Sequence, residues 1–253
     1  MNFTEYLRPA RWYVLALLGA MISFGAIAAP TSLPMDWADK ATQTPEMSSA
    51  LRIFLGLTAM SLIPALLICM TSFLRITIVL SLLRHAIGLT DTPPNVVIIT
   101  LSLFLTLFSM QPVLTRVNAE SVQPYIAGTL KTGAAIDSAT QPLKEFMIRQ
   151  TREQDLGLMI ELANAERPRT LDDVSMLHLI PAFMLSELRA AFQIGFVIFL
   201  PFLLIDLIVA SVLMSLGMMM VPPSTVSLPL KLLLFVLIDG WNIVVRSLLS
   251  TFH

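Results

Sequence analysis

The sequence predicts an all-helical, membrane-type protein built on two long helical hairpins. Of its 253 residues, 56% are hydrophobic and 13% are charged, and the mean hydropathy is +0.79, whereas soluble domains carry about 25% charged residues. Two apolar blocks, residues 51–114 and 179–253, flank a polar block at 115–178. Each apolar block is interrupted once, by residues that end helices.

The two interruptions share one order of residues: IGLTDTPPNVV in the first block and LGMMMVPPSTV in the second. Gly88 and Gly217 are suited to end a helix in the left-handed conformation, and the prolines that follow prevent its continuation. Asn95 and Ser224 are then expected to cap the next helix. The prolines are Pro93, Pro94, Pro222 and Pro223. Each block is therefore predicted to be a helix, a tight reversal and a second helix.

The first 28 residues have the features of a secretory signal peptide. Arg8 and Arg11 precede an apolar run that ends in AIA, an A-x-A cleavage site. We expect cleavage after Ala28, with an uncleaved first membrane helix as the alternative. Residues 29–50, with prolines among polar residues, are predicted to form a flexible periplasmic leader.

Positive charge near the first reversal predicts the topology. Four crossings would put both reversals on one side of the membrane, and Arg75, Arg84 and His85 crowd the first of them. By the positive-inside rule that side is cytoplasmic, so the polar block at 115–178 is periplasmic. Arg75 is interpreted as a snorkelling cation at the end of a span.

Two charges inside the second apolar block are predicted to pair. Asp206 and Lys231 lie at matching distances before and after the middle methionine, so a hairpin that turns there brings them to similar height. Pairing would offset much of the roughly 2.5 to 3.5 kcal/mol that each charge costs inside a membrane. A structural ion pair is the preferred interpretation, and a proton relay through Asp206 is the alternative.

Two residues are candidates for a subunit interface. An amphipathic helix is predicted to begin at Pro142 and to place Phe146 on its apolar stripe, where this ring packs within its own subunit or against the next one. Glu187 is either a solvated charge at a helix start or the partner of Arg189 in a neighbouring subunit.

Enzyme chemistry has little support in the sequence. His85, His178 and His253 are far apart, there is no H-E-x-x-H motif, and Cys69 lies in an apolar run without an activating neighbour. No phosphate-binding glycine loop occurs, so neither a metal nor a cofactor is expected. A net charge of −1 gives no argument for nucleic acid binding. A secondary transporter and a purely structural scaffold remain as alternatives.

The second reversal is unusual because it is apolar where a water-exposed turn would be polar. Met218, Met219 and Met220 follow Gly217 directly. Methionine is flexible and polarizable, so it fills a changing gap well, and a ring of such loops could close a pore by dewetting. A loop in lipid, or one packed on a neighbour, is the plainer alternative.

Four strings closely resemble the FliP family, the flagellar core export-gate proteins of type III secretion, which have relatives in injectisomes. They are MTSFLRITIVLSLLRHAIG, the TPPN of the first reversal, QPLKEFMIRQTREQDLGL and AFQIGFVIFLPFLLIDLIVASVLMSLGMMMVPP. The resemblance extends from Leu51 to Ser250.

The resemblance implies a ring of five copies that assembles with FliQ-like and FliR-like subunits into a helical export gate. This gate conducts unfolded flagellar proteins across the bacterial inner membrane, at the flagellar basal body. The methionine-rich loop that seals the closed channel corresponds to Met218, Met219 and Met220. The resemblance also implies that the gate sits largely above the membrane plane, with its apolar helices in protein contacts.

Overall fold

A computed structural model describes residues 49–165, 168, 170, 173–218 and 220–252. The predicted signal peptide (1–28) and nearly all of the predicted leader (29–50) lie outside these residues. From Ile53 onward, the helices below belong to one compact unit.

Within the described residues the secondary structure is helical, without strands, which confirms the predicted all-α class. A π-helical turn, Asn118–Val122, joins α3 to α4. The helices are α1 (Ser49–Cys69), α2 (Phe73–Ile87), α3 (Asn95–Val117), α4 (Gln123–Ile126), α5 (Thr132–Gln150), α6 (Glu153–Leu162), α7 (Met176–Ser215), α8 (Pro223–Leu237) and α9 (Gly240–Ser250).

Both reversals contain a glycine in the left-handed region, Gly88 with φ 92° and Gly217 with φ 72°. The predicted N-caps were wrong. Pro94 and Pro222 occupy the cap positions, and neither caps its helix with a side-chain hydrogen bond. Asn95 lies inside α3, where its Oδ1 accepts a hydrogen bond from Arg84 Nη1 at 2.7 Å. Arg84, which precedes the first reversal, therefore forms a hydrogen bond across it.

The apolar blocks are more interrupted than the prediction of four crossings assumed. Met70–Ser72 separates α1 from α2, and α8 meets α9 at a bend of 66°. Among the described residues, two helices are long and apolar enough to cross a membrane, Asn95–Ile126 and Met176–Ser215. A third crossing is added only if α8 and α9 together form one bent span.

Helices α2 and α7 run parallel to each other and form the central seam of the bundle. Contacts along the seam advance in step: Arg75 pairs with Glu187, and Ile87 shares a core cluster with Phe202. Between these ends the helices approach closely. A Cβ added at Gly195 would lie 2.3 Å from the Leu82 Cδ1 atom. Close backbone approach of this kind requires a residue without a side chain.

Helices α3 and α8 pack antiparallel to the seam. Met70, just before α2, shares a core cluster with Met110 near the end of α3, whereas Leu80 shares one with Ile98 near its start. On the other side, the Phe235 ring of α8 lies 6.5 Å from the ring of Phe202. Since both return helices run opposite to the parallel pair, the two reversals emerge at the same end of the bundle.

The polar block packs on the first half of α7. Helix α5 begins ten residues before the predicted start, and Pro142 lies inside it, because an internal proline costs a helix hydrogen bond without obliging the helix to end. Phe146 is buried in its own chain, with its ring 5.9 Å from that of Phe183. It presents no surface to a neighbouring subunit, so the structure does not support an interface role.

A surface ion pair joins the polar block to α3. Arg116 Nη1 donates to Glu145 Oε2, and this hydrogen bond lowers the pKa of the Glu145 carboxyl. A lowered folded-state pKa stabilises the fold above the pKa of the unfolded chain, and the contribution is lost as the pH falls through the folded value. Both side chains are well exposed, so the contribution is small.

The close approach at Gly195 yields a stability prediction. Alanine at Gly195 forces Leu82 to move and overpacks the seam, which typically costs about 1 to 3 kcal/mol. Gly157→Ala in α6 is the matched control because a Cβ there meets nothing within 4 Å. Both variants gain about 1 kcal/mol of helix propensity. In denaturant unfolding in detergent, the free energy of unfolding of Gly195→Ala should therefore be about 1 to 3 kcal/mol lower than that of Gly157→Ala. Equal stability of the two variants would show that the seam is looser than described.

Candidate functional site

The second reversal, residues 216–222, presents apolar side chains to the surroundings. Leu216 is 67% exposed, Met218 45% and Met220 96%. Met219 lies outside the described residues. The helix before the reversal ends in an exposed Met214, so the apolar surface continues from the loop onto α7. An exposed apolar tip on two packed helices is unstable in water unless another molecule covers it.

At the base of this hairpin lies the predicted charge pair. Lys231 Nζ donates to Asp206 Oδ2 at 2.6 Å and lies 3.4 Å from the carbonyl oxygen of Ala86. The Lys231 side chain is buried, whereas the Asp206 side chain is 40% exposed. One ammonium group therefore links α8, α7 and the last turn of α2.

The two reversals meet at a cleft of about 520 Å³ beside this ion pair. Ile87 and Gly88 line one side, and the first turns of α8 line the other. A Cβ added at Gly88 would lie 3.3 Å from Leu228 Cδ1, so α8 packs directly on the first reversal. The cleft contains a single carboxylate, already paired with lysine. In the described part of the chain, no group of three or more His, Cys, Asp and Glu side chains could hold a metal ion.

A second charge pair is buried at the opposite end of the seam. Arg75 Nε donates to Glu187 Oε2 at 2.8 Å, and Nη2 donates to Oε1 of the same carboxylate. Glu187 is fully buried and Arg75 is 4% exposed. The structure thus contradicts three expectations: a snorkelling Arg75, a solvated Glu187, and a pair between Glu187 and a neighbour's Arg189. Arg189 instead pairs with Asp155 of its own chain at 3.2 Å.

Comparison with known proteins adds the family. The FliP family model matches residues 56–248. The chain belongs to the FliP family. It is similar to the flagellar biosynthetic protein FliP of Pectobacterium carotovorum subsp. carotovorum, with 54% identity over 197 residues, 78% of this chain and 76% of that protein. The FliP of Bacillus subtilis (strain 168) is 48% identical over 206 residues, 81% of this chain and 93% of its own length.

A FliP protein from Rhizobium meliloti (strain 1021) is 41% identical over 235 residues, 92% of this chain and 96% of that protein. All these relatives carry the name flagellar biosynthetic protein, which describes a role in building the flagellum and no catalysed reaction. The FliP-family match spans both reversals and both buried charge pairs, whereas Thr251 and Phe252 lie beyond it.

Lys231 is more deeply buried than Asp206, so removing one charge of this pair should have a different effect from removing the other. Asp206→Asn in this FliP-family chain leaves a buried ammonium without its carboxylate, which should cost about 3 to 5 kcal/mol. Lys231→Met leaves a half-exposed carboxylate that water can solvate, so it should cost less. The double variant should recover most of the loss, because neither charge then remains. Unfolding in detergent and flagellar export should both follow this order.

A proton relay through Asp206 predicts otherwise. The double variant lacks the carboxylate, so export would fail in it as completely as in Asp206→Asn. Export would then fail in both variants even though the double variant is the more stable of the two.

Proposed function

We propose that the chain is a subunit of the flagellar export gate, which conducts unfolded flagellar proteins across the bacterial inner membrane, and that its methionine reversal closes the pore. The observation that carries this proposal is the exposed apolar tip at residues 216–222. Membership of the FliP family and the names of the curated relatives support the flagellar part of the proposal.

A closing role suits the mechanical construction of the hairpin. Its base is held by the Lys231–Asp206 pair and by the contact of α8 with the first reversal. Its tip carries unbranched methionine side chains, which change rotamer at little cost and so seal an irregular gap. A fixed base under an adaptable tip is the combination that a seal around an axis requires.

Within the described residues, nothing covers this tip. Met220 is almost fully exposed, and the outer surface of α7 continues as an apolar stripe at one helical face. Its members are Phe192, Phe196, Leu200, Leu203 and Leu207, all exposed. Lipid or further subunits must cover such a surface. We propose a ring of five copies, with FliQ-like and FliR-like subunits against the remaining apolar faces.

In such a ring the tips would crowd together on the axis. Water is unstable in a narrow apolar constriction, so the crowded tips would exclude both water and ions while the gate is at rest. An unfolded substrate would part them by displacing methionine side chains, without breaking a folded element. A purely structural scaffold has no need of this constriction, and the next experiment separates the two functions.

Replacing Met218, Met219 and Met220 together by alanine should leave assembly intact and open the resting complex to small ions. The alanine side chains are too short to meet across an axis that the methionines fill. Single-complex conductance in planar bilayers should rise several-fold, with assembly checked by the mass of the detergent-extracted complex.

Met214→Ala is the matched control because it removes an exposed methionine from α7, just outside the reversal. It should leave the resting conductance unchanged. A triple variant that assembles fully and stays as closed as the parent complex would favour the scaffold and remove the sealing role.

A further inference from the structure

The residues that form the bend between α8 and α9 explain it only in part. Asp239 has φ 50° and ψ 54°, a left-handed conformation, and its side chain makes no capping hydrogen bond. This conformation is strained for a residue with a Cβ, although Asp tolerates it better than most residues do. Gly240 permits the bend, since a Cβ there would lie 2.2 Å from the Phe235 ring, but a glycine does not enforce one. Across the bend the rings of Phe235 and Trp241 pack edge to face, with their centroids 5.5 Å apart. The local sequence therefore tolerates the bend and supports it with one aromatic contact.

Beyond the bend, Gly240–Phe252 forms an arm that lies back along α2. Its Leu248 is 1% exposed and shares a core cluster with Ile76, Val79 and Ala191. Because α8 is antiparallel to α7, the arm reaches the far end of the seam, away from both reversals. Val244 and Val245, earlier in the arm, pack against the same cluster. Apolar contacts therefore dock the arm along its length, and further contacts are made at its end.

Arg75 contacts the last residues of the arm. Its Nη1 donates to Thr251 Oγ1 at 3.0 Å, and its Cζ atom lies 4.2 Å from the centroid of the Phe252 ring. The Thr251 hydroxyl in turn donates to the carbonyl oxygen of Leu248 at 2.7 Å, which orients it as an acceptor for the guanidinium. A cation over the face of an aromatic ring is attracted to it, and the attraction is stronger in a desolvated site.

The other edge of the same guanidinium is fixed by the bundle. Nε and Nη2 of Arg75 donate hydrogen bonds to the Glu187 carboxylate. Nη2 also donates to Gln150 Oε1 of α5 at 3.1 Å. Arginine presents its donors as a rigid planar fork, so an orientation set by Glu187 and Gln150 also sets the direction in which Nη1 points. The arm thus docks onto a donor whose position other helices determine.

We infer that Arg75 is a positioning residue for the arm, and that it maintains the bend at Asp239 from the far end. Without this attachment the strain at Asp239 is relieved by straightening, and residues 223–250 join into one helix. Such a helix is about 42 Å long and exceeds the roughly 30 Å of a bilayer core. The two segments together satisfy the length and apolarity of a membrane span.

The test measures the bend directly in the full chain. Spin labels are placed at Ser224 and Ser247, both exposed, after Cys69→Ser removes the sole cysteine. In a straight helix rising about 1.5 Å per residue, this pair lies roughly 6 Å farther apart than across the bend. Labels at Ser224 and Val236, both before the bend, give a distance that must stay constant.

Two sets of substitutions release the arm by different routes. Arg75→Met with Glu187→Met removes the guanidinium without leaving an orphan buried charge, a replacement that is often well tolerated. Thr251→Val with Phe252→Ala leaves the buried ion pair intact and removes only the contacts of the arm. Arg189→Met is the control: it removes an arginine paired with Asp155 that makes no contact with the arm.

Both releasing variants should lengthen the Ser224–Ser247 distance by roughly 6 Å in lipid nanodiscs, while Arg189→Met and the Ser224–Val236 pair stay at the parent values. An unchanged distance in the folded Thr251→Val/Phe252→Ala protein overturns the inference and assigns the bend to local sequence. Size-exclusion chromatography reports folding. If the ion-pair variant does not fold, the arm variant decides alone, because it retains Arg75 and Glu187.

Discussion

The parallel contact between α2 and α7 is the constraint on which the other elements depend. Parallel neighbours cannot be joined by a short turn, so the chain leaves α2 through the first reversal, returns in α3 and passes through the polar block before entering α7. Each helix of the pair then acquires its own antiparallel partner. This arrangement puts both reversals at one end and the polar block at the other, which separates a deformable apolar tip from a polar base.

Charge pairs mark the two ends of this seam, and their environments differ. Arg75 and Glu187 are both withdrawn from water, whereas Asp206 keeps about half of its exposure beside a buried Lys231. Burial of single charges would cost several kcal/mol each, so each pair also specifies which helices must meet. Within the described residues, the apolar outer surfaces have no comparable partner. Exposed apolar surface of this extent is typical of a site that lipid or another protein covers.

Much of this architecture was predictable because its determinants are local. Glycine followed by a proline pair predicted both reversals, and the equal spacing of Asp206 and Lys231 about the turn placed them at one height. The partner of Arg75 was not predictable, since Glu187 is 112 residues away and an arginine after an apolar run equally suits a membrane boundary. Hydropathy predicted four crossings, whereas the described residues contain two helices that are long and apolar enough to cross a membrane, or three spans if α8 and α9 count as one. Hydropathy does not distinguish burial against another helix, as for α2 against α7, from contact with lipid.

The most direct measurement for this account is a disulfide across the seam, in the Cys69→Ser background. The Leu82 Cβ atom and a Cβ built on Gly195 are 3.3 Å apart, just below the range of about 3.5 to 4.5 Å in natural disulfides. Cysteines at Leu82 and Gly195 should therefore close within one chain on mild oxidation, whereas a pair at Leu82 and Phe199, one turn farther along α7, should not. Closure of the Leu82–Phe199 pair instead, or cross-linking only between chains, would contradict the parallel register.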